Sequence, residues 1–113
     1  LKKPSHHELP PAPEHLSDEA AAWWAKITAE YQLGDDAQLL LQTGLESFDR
    51  MRSAQAEIAE HGVVVRDRWG QLRCNPACAV ERDSRSALVQ AMKALHLDLE
   101  PLNPVGRPPA GGL

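Results

Sequence analysis

Apolar residues recur along this chain with two different periods, and the change of period divides it. Ala20, Trp23, Trp24, Ile27 and Tyr31 fall at helical spacing. Ser17 precedes them as a cap, and Asp18 and Glu19 suit the positive end of a helix dipole. Leu16, just before the cap, is placed to staple onto Ala21 or a neighbour. Gly34 reads as a left-handed terminator, so the first helix is predicted over about residues 17–33. Asp35 or Asp36 caps a second helix over about 36–61. Its apolar line is Leu41, Leu45, Phe48, Met51 and Ile58, broadened by Leu39 and Leu40, with Glu46, Asp49, Arg50, Glu57 and Glu60 opposite. Gly62 ends it.

At Gly62 the period switches. Val63, Val64 and Val65 pack well on a pleated surface and lose rotamer freedom in a helix. A polar turn containing Asp67 and Gly70 joins them to a short second run, which predicts a β-hairpin over about residues 63–73. Asn75-Pro76 then opens a third helix over about 76–96, with asparagine as cap and proline at the first helical position. Its buried stripe is expected at Val80, Ser84, Ala87, Leu88, Ala91 and Leu95. The predicted architecture is mainly α: an antiparallel helical hairpin of long helices with an inserted β-hairpin, one domain over about 17–99.

The ends read differently. Residues 1–16 hold Pro4, Pro10, Pro11 and Pro13, and residues 100–113 hold Pro101, Pro104, Pro108 and Pro109 with three glycines, so both are expected to be flexible tails. The chain has 113 residues, 42% hydrophobic and 25% charged, enough for one small and thin-cored domain. Partner subunits are expected to complete that core. Trp23 and Trp24 point about 100° apart on a helix, so they do not share one core face. One of them lies against another subunit, or is covered by the N-terminal arm.

Charge sharpens the picture. Net charge is −4, yet residues 1–62 carry five Lys/Arg against eleven Asp/Glu, while residues 66–93 carry six against three. The hairpin and third helix form the one extended positive region, which suits a polyanion. Arg66, Arg68 and Arg73 with Trp69 make a basic-aromatic hairpin, and Arg82, Arg85 and Lys93 continue it on the third helix. Such arginines also occur as plain solvated surface; repeated around a ring, they would multiply the phosphate contribution.

Catalytic signatures are not seen: no Gly-rich phosphate loop, no nucleophile elbow and no metal-binding His-Glu-x-x-His. Cys74 and Cys78 form one C-x3-C pair near His61, whereas zinc wants four ligands, so two reduced cysteines are expected and no cofactor. No run reads as a membrane span or a secretion leader.

Several of these stretches, in this order, resemble one family. Pro11, Pro13, His15, Leu16 and Ser17 lead into an acidic, Trp-bearing helix. The long helix ends in Ile58-Ala59-Glu60-His61-Gly62-Val63-Val64-Val65. The Trp69-Gly70 turn, the Asn75-Pro76 helix start and the closing Leu95-His96-Leu97-Asp98 follow. Together, over about residues 10–108, they resemble the small terminase subunits of tailed phages. The resemblance implies a non-enzymatic part of a genome-packaging motor in the host cytoplasm. Such subunits form closed rings, recognise double-stranded viral DNA, and deliver it to a large subunit carrying the ATPase and nuclease. Nothing before Ser17 forms the N-terminal helix-turn-helix of many such subunits, and the arm's only Lys/Arg residues are Lys2 and Lys3. DNA contact is therefore expected from Lys2, Lys3, Arg66, Arg68, Trp69, Arg73, Arg82, Arg85, Lys93 and Arg107. Subunit contacts are expected from Trp23, Trp24, Leu41, Leu45, Phe48, Val63 and Val65. Two other readings stand beside it: a protein-interaction ring that regulates the large subunit without gripping DNA, and a small zinc-binding transcription regulator.

Overall fold

A computed structural model of the chain describes residues 9–96. Residues 1–8 of the expected N-terminal arm, residues 97–99 and the whole expected tail at 100–113, with Lys2, Lys3 and Arg107, lie outside them. In chain order the elements are α1 (Asp18–Glu30), α2 (Asp35–His61), β1 (Val64–Arg66), β2 (Leu72–Cys74) and α3 (Ala77–Leu95). No helix among the described residues is long and apolar enough to cross a membrane.

Helix α1 starts as its sequence dictates. The Ser17 hydroxyl accepts from the Ala20 N–H at 3.0 Å and donates to the Asp49 carboxylate. The Ser17 N–H also donates to Asp49, at 2.9 Å. One cap residue thus starts α1 and ties it to the middle of α2. The buried line of α1 is Ala20, Trp24 and Thr28, four residues apart and so on one stripe. It packs with Leu16 against Leu41, Leu45, Phe48 and Met51. Full burial of one such large side chain contributes about 1.5–3 kcal/mol, so these few residues dominate the stability of a thin core.

The stretch before α1 is a correction to the expected flexible arm. Residues 9–16 lie on the helices: Leu16 is buried and Ala12 packs on the core. The Trp24 indole N–H donates to the Pro10 carbonyl at 2.9 Å. His15 Nε2 lies 2.7 Å from Glu46 Oε2. Prolines already lack conformational freedom and one N–H, so an extended proline segment covers apolar surface at low entropic cost.

The α1–α2 corner also departs from expectation. Helix α1 stops at Glu30, and Gly34 is extended (φ −73°, ψ 177°) as the cap of α2, not left-handed. Early unwinding lets Leu33 reach the core, and the Gln38 amide donates to the Leu33 carbonyl at 3.0 Å. Neither Asp35 nor Asp36 is the cap; both sit in the first turn of α2, beside its positive end.

Helices α2 and α3 are antiparallel: Gln55 bonds Glu81 near one end, and Gly44 meets Ala91 near the other. A Cβ at Gly44 would sit 2.9 Å from the Ala91 Cβ and 3.2 Å from Met92 Cε. Ser47 and Ser84 are buried as well, so this seam is built from small side chains. The inward line of α3 is Ser84, Leu88, Ala91 and Leu95. Val80, 46% exposed, and Ala87 fall outside the stripe expected for them. Ala87 precedes the inward Leu88 by one residue, about 100° around the helix; Val80 lies in the first turn of α3, one turn before Ser84, where it borders Ala54 of α2. Leu39, expected to broaden the α2 line, is 65% exposed.

Gly62 ends α2 at φ +89°, as expected, with its N–H on the Ile58 carbonyl at 2.7 Å. Asn75 then joins three elements. Its N–H donates to the Val63 carbonyl at 2.7 Å, its amide donates to the Gly62 carbonyl at 2.8 Å, and its Oδ1 accepts from the Ala77 N–H at 2.9 Å. Pro76 beside it has helical angles (φ −57°, ψ −23°). The asparagine therefore closes the hairpin and caps α3 at once, while 4% exposed.

Two stability outcomes follow from this packing. Asn75→Ala strands the part-buried Gly62 carbonyl and removes the cap, lowering stability by about 1–3 kcal/mol. Asn75→Asp keeps the cap acceptor but cannot donate to the Gly62 carbonyl, so it too lowers the urea denaturation midpoint. Gly44→Ala gains about 0.5–1 kcal/mol of helix propensity. Overpacking against Ala91 costs about 1–3 kcal/mol, so a lower midpoint is expected.

Candidate nucleic-acid interface

The hairpin pairs Val64 with Cys74, Val65 with Arg73 and Arg66 with Leu72. Alternation puts Val64, Arg66, Leu72 and Cys74 on one face, and Val65 and Arg73 on the other. Neither strand has a buried residue. Val65 is half-buried, while Val63, Val64 and Leu72 are 59%, 52% and 64% exposed. The hairpin stands largely clear of its own helices.

Asp67 organises the turn. Its Oδ1 accepts from the Trp69 and Gln71 N–H groups, each at 2.9 Å, and its Oδ2 accepts from Arg73 Nε at 3.0 Å. These bonds, led by the Gln71 N–H, hold its carboxyl below the ordinary carboxylate range. Gly70 adopts φ +80°, where other residues are strained. Arg66 Nη1 donates to the Gly70 carbonyl at 2.6 Å. Two of the three expected hairpin arginines are therefore braces of their own turn. Arg68 differs: it stacks on Trp69, 4.4 Å from the ring centroid, and has no ion pair among the described residues. Trp69 itself is 69% exposed.

A second group lies on the outer face of α3. Arg82, Arg85, Ser86, Val89, Gln90 and Lys93 line a shallow cleft of about 410 Å³. Eleven residues at about 1.5 Å rise separate Arg82 from Lys93 by about 16 Å. Arg85 grips Glu81 with two bonds, 2.6 and 3.1 Å, and Glu81 also accepts from Gln55. The Arg85 bond lowers the Glu81 carboxyl, and Glu81 raises Arg85. Arg82 has only a loose 3.4 Å contact with Asp83, both largely exposed, an arrangement worth little. Lys93 has no ion pair among the described residues. Arg82 and Lys93 are thus the cations most open to a ligand.

The residues expected at subunit contacts divide by burial. Trp24, Leu41, Leu45 and Phe48 are buried in the chain's own core, at 4%, 0%, 2% and 7% exposure. The segment at residues 9–16 and helix α1 cover this α2 stripe. Of that group, Val65 is half-buried, while Trp23, at 45%, and Val63 remain exposed.

A groove missed from the sequence runs between α1, α2 and α3. It has a volume of about 470 Å³ and is walled by Trp23, Ile27, Tyr31, Phe48, Leu88 and Met92. Glu19, Lys26, Glu30 and Arg52 rim it. Lys26 lies 5.3 Å from the Trp23 centroid, and Arg52 bridges Phe48 and Glu19. The signal was a second stripe on α1: Trp23, Ile27 and Tyr31 repeat every four residues beside Ala20, Trp24 and Thr28.

Cys74 and Cys78 are free thiols, the first exposed. No group of three or more His, Cys, Asp or Glu side chains among the described residues is placed to hold a metal.

The Asp67 geometry sets a pH dependence. A carboxyl lowered in the folded hairpin stabilises it fully above the unfolded value, about 4, and that support is lost as pH falls through the lower folded value. Acid titration followed by the Gln71 amide proton should therefore loosen the turn below about pH 4 in the native chain. In Asp67→Asn the same titration should be flat.

Comparison with known protein families, with curated proteins and with solved structures returned no match.

Proposed function

We propose that this chain is a small, non-enzymatic subunit of a phage genome-packaging motor. It forms a homo-oligomeric ring that contacts double-stranded viral DNA and recruits or regulates a large ATPase/nuclease subunit. No cofactor takes part. The family resemblance of the ordered motifs supports the reading, and so does the pair of long antiparallel helices with a hairpin at one end. The observation that carries the DNA contact is the outer face of α3. There Arg82 and Lys93 are open, Arg85 is held in place, and Ser86 and Gln90 lie between them. A helix face of this kind tracks phosphates and carries little base information. One copy offers few charges; a ring repeats them, and each neutralised phosphate adds counterion release. Exposed Trp23, Val63, Val64 and Leu72 supply apolar surface for neighbouring subunits.

One observation favours the protein-interaction ring instead. The net charge is −4, and residues 1–62 are strongly acidic, which opposes DNA over half of the chain.

Sedimentation and fluorescence anisotropy with a duplex from the viral genome separate the two. The expected result is a discrete oligomer whose DNA affinity falls steeply with salt. Arg82→Ala and Lys93→Ala should each lower the salt slope by about 1 per subunit engaged. A discrete oligomer with no salt-dependent DNA binding would establish the interaction-ring reading in its place.

A further inference from the structure

The exposed hairpin tip and the three-helix groove are a knob and a recess on the same chain. Trp69 and Leu72, at 69% and 64% exposed, have no cover from their own helices, and Arg68 lies on the Trp69 ring. The groove offers an aromatic and thioether floor in Phe48 and Met92, with Trp23 on its wall. Aromatic rings and methionine are favourable surroundings for an indole. On the rim, Glu30 has no ion pair among the described residues, and it belongs to the acidic part of the chain. The cation at the tip and the carboxylate at the rim complement each other.

The two features do not meet within one molecule. From Phe48 to His61 the helix α2 advances thirteen residues, about 20 Å at 1.5 Å each. The hairpin arm from Val63 to Asp67 spans about 14 Å at 3.4 Å per residue. No hairpin residue lines the groove of its own chain. A contact between two different patches, one from each copy, is heterologous; it closes into a ring when the rotation per step permits.

We propose that the hairpin tip of one copy seats in the α1–α2–α3 groove of the next, with Trp69 on the apolar floor and Arg68 against Glu30. The proposal rests on the ring reading above and names the surfaces that build the ring. It also assigns the hairpin to assembly and leaves the α3 face to DNA.

Sedimentation velocity of the full chain tests this with a charge exchange. Arg68→Glu and Glu30→Arg should each weaken association at least tenfold, and the double variant should regain the native oligomer. Trp69→Ser should weaken association without rescue. All three positions of change are exposed, so far-UV circular dichroism should match the native chain. A native oligomer left intact by Arg68→Glu, Glu30→Arg and Trp69→Ser would overturn the docking while leaving the ring reading in place. Single variants that dissociate without rescue in the double would overturn the Arg68–Glu30 pairing. A native chain that is monomeric throughout would overturn the ring and the docking together.

Discussion

The fold depends on one buried side chain at the root of the hairpin. Helices of 27 and 19 residues have to reverse direction and then lie close. The connection is a two-stranded sheet, which is marginal on its own in water. Asn75 makes it definite. A left-handed Gly62 leaves its carbonyl exposed to a donor, and the asparagine amide supplies one while the same side chain starts α3. The exit of α2 and the entry of α3 are thereby held in a fixed relation. Seventeen residues before the exit of α2 and fourteen after the entry of α3, the approach at Gly44 and Ala91 is only as tight as that relation allows.

Charge on this molecule is divided by duty and not simply by sign. Arg66 and Arg73 serve the hairpin turn, Arg52 covers Phe48 while holding Glu19, and Arg85 is fixed to Glu81. A count of basic residues overstates the positive surface, because several cations already have partners. Among the described residues of the hairpin and α3, what remains available is sparse and separated: Arg68 on the hairpin, Arg82 and Lys93 on α3. Sparse cations suit a device that gains strength by repetition, since each copy adds a small increment along a polyanion.

Much of the architecture was legible. Gly62 as a terminator, Asn75-Pro76 as a helix start and Asp67 to Gly70 as a turn are local chemistry, and local chemistry is what a sequence displays. The corner at residues 31–34 was not legible. Gly34 permits a left-handed cap, but burial of Leu33 decided the backbone there, and that is a tertiary effect. A staple at Leu16 and an arm over one tryptophan were open readings; that Trp24 is the one, bonded to the Pro10 carbonyl, is tertiary in the same way. Within the candidate site, the sequence grouped three hairpin arginines as equals. Side-chain partners separate them, and partners become visible only once the turn is closed.

The three tryptophans occupy three distinct depths: Trp24 in the core at 4% exposure, Trp23 on the groove wall at 45%, Trp69 at the hairpin tip at 69%. Indole emission responds to the polarity around the ring, so the chain carries its own graded set of optical reporters. Chains retaining one indole each would resolve three events that a single mixed signal merges: core formation, occupation of the groove and engagement of the tip. The same placement means that an unlabelled protein suffices to order those events in time.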